Sequence, residues 1–130
     1  MKVYSGFNAD VLKRIAIAAD NSQLKRDVEY ASFLHHHNPQ SIYCERIDDI
    51  AFIICQKQKQ QMRIIGMGTA AQYKGKGLAS ILLKRCIENS RALGLQKVVT
   101  RSSSGADFYA KRGFDALGMR GNDYWLELTL

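Results

Sequence analysis

The sequence predicts one α/β domain of the α+β kind over residues 1–130, a mixed sheet of about seven strands carrying four helices. Three observations predict it. Strand-like and helix-like segments follow one another in the order β-α-α-β-β-β-α-β-α-β-β. The run Gln72-Tyr73-Lys74-Gly75-Lys76-Gly77 joins an apolar stretch (Met62 to Gly68) to an amphipathic one (Leu78 to Leu93), so a strand feeds a long helix through glycines. Finally, 130 residues with 46% hydrophobic and 24% charged content suit a single core and are too few for two.

Val3-Tyr4-Ser5 reads as a short first strand. Asn8 is placed to cap a helix from Ala9 to Ala19, with Val11, Ile15 and Ala18 on one face. Asn21 or Ser22 caps a second helix that buries Leu24, Val28, Ala31 and Leu34 and stops before Pro39. Ser41 to Arg46 and Ile50 to Gln56 read as strands around an Ile47-Asp48-Asp49 turn. Lys57 to Gln61 is polar and reads as the connection into the strand Met62 to Gly68. In the long helix Leu78, Leu82 and Cys86 line up beside Ala79, Leu83 and Ile87, with Lys84, Arg85, Glu88 and Arg91 facing away and Gly94 as the stop. Lys97 to Arg101 is a β-branched strand. Ser102-Ser103-Ser104 caps a short helix through Lys111 that ends at Gly113, and Phe114 to Met119 with Tyr124 to Leu130 form a last hairpin around Arg120-Gly121-Asn122-Asp123.

Composition narrows the chemistry. Cys44, Cys55 and Cys86 are widely spaced and odd in number, which predicts reduced core thiols in a cytoplasmic protein without a disulfide framework or zinc site. No apolar run is long enough to cross a bilayer, and the first residues lack a signal-peptide block. The net charge of +7 favours an anionic partner, but the basic residues come in scattered pairs, which suits a nucleotide ligand as well as a nucleic acid.

The glycine run carries the functional signal. A helix that starts after glycines leaves unpaired N–H groups and its positive dipole end facing open space, a site for phosphate or pyrophosphate. Lys74 and Lys76 add charge there. Gly66-Met67-Gly68-Thr69-Ala70-Ala71 matches the dinucleotide pattern G-x-G-x-x-A, but helical periodicity begins only after Gly77 and Glu88 lies inside a helix, so the match is coincidental. The absence of Gly-Lys-Ser or Gly-Lys-Thr excludes a P-loop. His35-His36-His37 cannot converge on one metal, because successive helical residues point about 100° apart, and reads as a solvated helix end. In Phe108-Tyr109-Ala110-Lys111-Arg112-Gly113-Phe114, packing explains the phenylalanines and a helix stop explains Gly113. Tyr109 is left to present its hydroxyl to a cleft.

Gln72 to Gly77 followed by Phe108 to Phe114 resembles the GNAT superfamily of acyl-CoA-dependent N-acetyltransferases, whose pattern is Q/R-x-x-G-x-G/A and then F-Y-x-x-x-G-F. The likeness covers about Met62 to Leu130. It implies a mostly antiparallel sheet and acetyl-CoA as acyl donor, with no metal. Amides from Lys74 through Ala79 (Lys74, Gly75, Lys76, Gly77, Leu78, Ala79) would cradle the pyrophosphate, with Gln72 and Ser80 at the edges. Met67, Gly68 and Thr69 would bond the pantetheine arm, and an amide near Met67 would act as an oxyanion donor to the thioester carbonyl. Tyr109, with an ordinary pKa of about 10, would protonate the departing thiolate.

Two departures stand out. Ser102 occupies the place, seven residues before the tyrosine, where many members carry an asparagine that contacts the donor. The strand Gln61-Met62-Arg63-Ile64-Ile65-Gly66 holds no acid where many members carry a glutamate base. Glu45, Asp48, a histidine of the triplet, or water with a backbone carbonyl are the alternatives, and the residues do not choose among them. Lacking a strand acid, the rate is expected to rise with pH towards the amine's own pKa. The function implied is direct acetyl transfer to a primary amine of a small molecule or peptide, without an acyl-enzyme and without a membrane partner. Two rivals stay open: toxin-like acetylation of aminoacyl-tRNA, the less favoured nucleic-acid reading, and a non-catalytic acyl-CoA-binding regulatory module. A homodimer also stays open.

Overall fold

The computed structural model describes residues 1–130. Its strands are β1 (Val3–Ser5), β2 (Ile42–Ile47), β3 (Ala51–Gln58), β4 (Gln61–Thr69), β5 (Lys97–Ser102), β6 (Asp115–Arg120) and β7 (Asp123–Thr129). Its helices are α1 (Ala9–Ala18), α2 (Ser22–His37), α3 (Leu78–Ala92) and α4 (Ala106–Ala110). One seven-stranded sheet runs in the order β1-β2-β3-β4-β5-β7-β6. Every neighbouring pair is antiparallel except β4–β5. This is the mixed, mostly antiparallel sheet with four helices that the sequence predicts.

Helices cover both faces. α1 and α2 bury Leu12, Ile15, Val28 and Ala31 against Cys44, Phe52 and Ile54. On the other face Leu78, Leu82, Leu83 and Cys86 of α3 pack on Ile53, Cys55, Met62 and Ile64, joined by Tyr109 and Phe114. Each fully buried aliphatic side chain contributes on the order of 1.5–3 kcal/mol, so these two faces hold the sheet flat-on between layers. The asparagine caps form as expected: the Asn8 side chain accepts from the Val11 amide, and that of Asn21 from Gln23 and Leu24.

Some details differ from the expectation. Ala18 is exposed; the buried face of α1 is Val11, Leu12, Ile15 and Ala16, continued by Ala19. Leu34 is only half-buried. Lys57, Gln58 and Gln61 belong to strands, because Gln58 donates to Gln56 and Gln61 to Gln58 through their side-chain amides (3.0 Å each), which satisfies the polar end of the hairpin without a core. Ile47 closes β2 and does not start the turn. The short helix begins at Ala106, after Ser102 has ended β5 and accepted a hydrogen bond from the Gly105 amide at 2.7 Å. Arg85 does not simply face away: its guanidinium clasps Glu45 on β2, at 2.9 and 2.8 Å.

The feature that creates a site lies in β4. Ile54 pairs with Gly66 and Cys55 with Ile64, so Ile65 is an extra residue, a β-bulge. A bulge bends its strand and raises local twist. Pairing between β4 and β5 accordingly stops after Arg63 with Val99, while β4 continues along β3 to Thr69 and β5 along β7 to Ser102. The sheet splits there. The bulge also breaks the strand's alternation: Ile64 and Met67 pack towards α3, whereas Ile65 and Gly66 both face the α2 side.

Candidate functional site

Between the splayed ends of β4 and β5 lies a cavity of about 750 Å³. Residues from both sides of the sheet line it: Leu24 and Asp27 from α2, and Leu78, Ser80, Tyr109 and Arg112 from the opposite layer. It therefore passes through the sheet. At the α3 end, Gly75 and Gly77 adopt φ of +78° and +80°, values only glycine takes easily. A Cβ on either would meet nothing within 4 Å. The amides from Gly75 to Ser80 donate to no other group in the protein. A run of outward N–H groups at a helix start, beside open space, is what a pyrophosphate requires. The cradle fits that group.

Of the residues singled out in the sequence, Met67, Gly68, Thr69, Lys74, Gly75, Gly77, Leu78, Ala79, Ser80, Ser102 and Tyr109 all line this one cavity. Gln72 and Lys76 are exposed and lie outside the lining. Lys74 is used differently from the expectation. Its amide donates to the Ala71 carbonyl at 3.3 Å, and its ammonium donates to the Ala19 carbonyl at 3.3 Å, tying the loop to the end of α1. A side-chain cation that does reach the edge of the cradle is Arg112, to which the sequence reading gave no role. Its guanidinium donates to Ser80 Oγ (3.1 Å from Nε, with Nη2 also in contact), donates to the Phe108 carbonyl at 2.8 Å, and lies 3.7 Å from the centre of the Phe108 ring.

Tyr109 is 7% exposed, its ring edge-on to Phe108 and Phe114 with centroids 5.3 and 5.2 Å away. Burial pushes its pKa up to about 12, partly offset by the neighbouring Thr100 side chain. The hydroxyl stays protonated at neutral pH.

Every side-chain base candidate named from the sequence lies outside the cavity lining. Glu45 is buried outside the cavity, held by Arg85, by the Tyr43 hydroxyl at 2.7 Å and by Ser5 at 3.3 Å. Asp48 sits in the β2–β3 turn. His35 stacks on Phe7 and His37 Nδ1 contacts the Phe33 carbonyl at 2.8 Å, at the far end of α2, and none of the three histidines lines the cavity. No three His, Cys, Asp or Glu side chains converge as a metal-binding group. The carboxylate in the lining is Asp27, half-buried on α2. Gln23 donates to its Oδ1 at 3.0 Å. Burial raises its pKa, a rise that the Gln23 hydrogen bond and the Arg63 charge only partly offset. Its sequence signal was slight: Asp27 is the one acid between the stripe residues Leu24 and Val28.

Residues 10–114 match the family model described as the Acetyltransferase (GNAT) family. No curated protein matches the chain in sequence. Among solved structures it is similar to the PaiA N-acetyltransferase of Thermoplasma acidophilum in complex with coenzyme A, with a TM-score of 0.79, 14% identity and full coverage of both chains. It is also similar to the ribosomal-protein-S18-alanine N-acetyltransferase of Escherichia coli (TM-score 0.80, 15% identity, covering 98% of this chain and 92% of that one). An aminoglycoside 6'-N-acetyltransferase complexed with coenzyme A aligns at a TM-score of 0.75 and 13% identity, over 99% and 97% of the two chains.

Proposed function

The chain belongs to the acetyltransferase (GNAT) family, and on that premise we propose that it moves the acetyl group of acetyl-CoA directly to a primary amine, without an acyl-enzyme. The observation that carries this reading is the cavity through the sheet, with a free-amide cradle at one end and room for a second reactant at the other. Bound acetyl-CoA supplies an acetyl group on a thiol leaving group. The amides of Gly75 through Ser80 bind the pyrophosphate, and Arg112 adds a fixed positive charge at the edge. The open edge of β4 from Met67 to Thr69 offers strand-like hydrogen bonds to the pantetheine arm. Tyr109 donates its proton to the sulfur as charge develops there. The three cysteines are buried and none lines the cavity, so a direct route is favoured over a cysteine acyl-enzyme.

The acceptor is a small molecule or a peptide amine. Structural neighbours named for a ribosomal-protein alanine and for aminoglycosides share this fold, so the fold does not choose between them. No helix is long and apolar enough to cross a membrane, and we assign the activity to the cytoplasm. A panel of primary amines assayed by thiol release tests the reading. Amine-dependent release supports it; saturable acetyl-CoA binding with no release for any amine overturns it in favour of a binding module.

A further inference from the structure

Asp27 stands on the face of the sheet opposite Tyr109, yet both line the same cavity, and the Asp27 charge contributes to holding up the Tyr109 pKa. Gly66 leaves the space that Asp27 fills: a Cβ there would lie 2.9 Å from Asp27 Cβ and 3.1 Å from its Oδ2. The strand that lacks an acid thus has one delivered to it from α2, at the residue after the bulge. Resting on the transfer reading above, we infer that Asp27 is the base of the reaction: it binds the acceptor's ammonium on the α1–α2 side of the sheet and takes its proton, so that the acceptor is a charged alkyl amine.

The charges sharing this space are few. Arg63 projects from β4 and stacks 5.9 Å from the Tyr30 ring centre; Arg101 of β5 is paired with Asp123 at 2.9 Å; Lys74 is spent on the Ala19 carbonyl. Ala19, the residue that ends α1, reaches the lining, as do the neutral Asn21 that caps α2 and Gln23 within it. A cationic amine entering here meets one carboxylate not already clasped by an arginine.

An alkyl amine with a pKa near 10.4 is unprotonated in only about one part in 10³ at pH 7, so a proton acceptor beside it matters. The ammonium gives one proton to Asp27, which passes it to solvent. The freed nitrogen bonds to the acetyl carbon, and the carbon–sulfur bond breaks. Tyr109 gives its proton to sulfur and is restored by the second proton shed as the amide forms. Base and acid thus act from opposite sides of the split sheet, and no group must change place.

Asp27→Asn tests this. The variant should keep the melting shift given by acetyl-CoA, lose about 10²-fold or more in kcat/KM for an alkyl amine at pH 7, and lose the acid-side inflection of its pH profile. Asp27→Glu should restore part of the rate. A weakly basic aromatic amine, uncharged at pH 7, should lose far less in Asp27→Asn. The melting temperature without ligand should hold or rise, because a carboxylate whose folded pKa is raised subtracts stability as pH climbs through it; a merely structural aspartate would lower it. Wild-type transfer that survives Asp27→Asn with an unchanged pH profile overturns this inference alone. Wild-type protein that binds acetyl-CoA and serves no amine overturns the transfer reading, and this inference with it.

Discussion

Asp27 on α2 and Gly66 on β4 are fitted to each other, since any Cβ on Gly66 would come within 2.9 Å of the Asp27 Cβ. A Cβ is fixed to its backbone and cannot swing aside, so a side chain at Gly66 must push α2 and Asp27 away from the cavity. Gly68 offers a contrast: its Cβ would meet Leu24 Cδ1 at 2.5 Å, the far end of a side chain that can rotate.

Gly66→Ala should therefore lower turnover by at least about tenfold while the acetyl-CoA melting shift persists, and Gly68→Ala should cost less in rate. Equal rates for both variants would mean that the position of Asp27 does not matter.

Gly77→Glu places a carboxylate in the open space of the cradle, where the free amides and helix dipole attract an anion. It should abolish the thermal shift by acetyl-CoA, which arises by mass action on the folded state. Gly77→Ala separates strain from blockade: at φ +80° it costs about 1–2 kcal/mol but leaves the space open, so the shift should survive. An undiminished shift in Gly77→Glu would displace the donor from this loop.

Arg112 is exposed, and its pairing with Ser80 and the Phe108 ring holds a cation over the edge of the cradle. Arg112→Gln should weaken acetyl-CoA binding by roughly 5–30-fold, about 1–2 kcal/mol for an exposed charge-assisted contact. The loss should shrink at high salt. A loss in turnover without a loss in affinity would move Arg112 from binding to chemistry.

The order of elements, the two asparagine caps and the glycine cradle were legible because each is a local matter: period, capping side chain and positive φ are set within a few residues. The serine run did not cap α4, whose N-cap is Gly105. The base was not legible. Asp27 and Gly66 are far apart in sequence, and what joins them is the bulge at Ile65, which no periodicity announces because a single extra residue leaves the strand apolar on both sides. Glu45, one of the alternatives left open for the base, is a similar case: only the long-range contact with Arg85 shows that it is already paired. Lys74 looked like a phosphate ligand until the end of α1 supplied its carbonyl.

Tyr109→Phe keeps the edge-on packing with Phe108 and Phe114 and removes the hydroxyl alone. Turnover should fall by roughly 10²–10⁴-fold with little change in acetyl-CoA affinity. With its pKa pushed up to about 12 by burial, the wild-type tyrosine should show no loss of its proton below about pH 11. An activity loss near pH 9 shared by wild type and Tyr109→Phe would assign that step to another group.

Glu45 is a test of structure, and here the sign of its titration decides. Burial alone would raise its pKa, but the two arginine bonds and the hydroxyls of Tyr43 and Ser5 outweigh that and hold it below the usual carboxylate value. A carboxyl lowered in the folded state lends stability that is present above its unfolded pKa, about 4.5, and is lost as pH falls through the folded one. Wild-type melting temperature should therefore drop as the pH is taken below about 4.5, and Glu45→Gln should flatten that drop. At pH 7 the variant gives up the charge-assisted bonds and should lose about 1–3 kcal/mol, a fall of several degrees. Because Glu45 touches neither the cradle nor the α2 side of the cavity, kcat per folded molecule should stay within about twofold of wild type at a temperature where both are folded. The opposite pattern, full stability with turnover gone, would return the base to β2 and take it from Asp27.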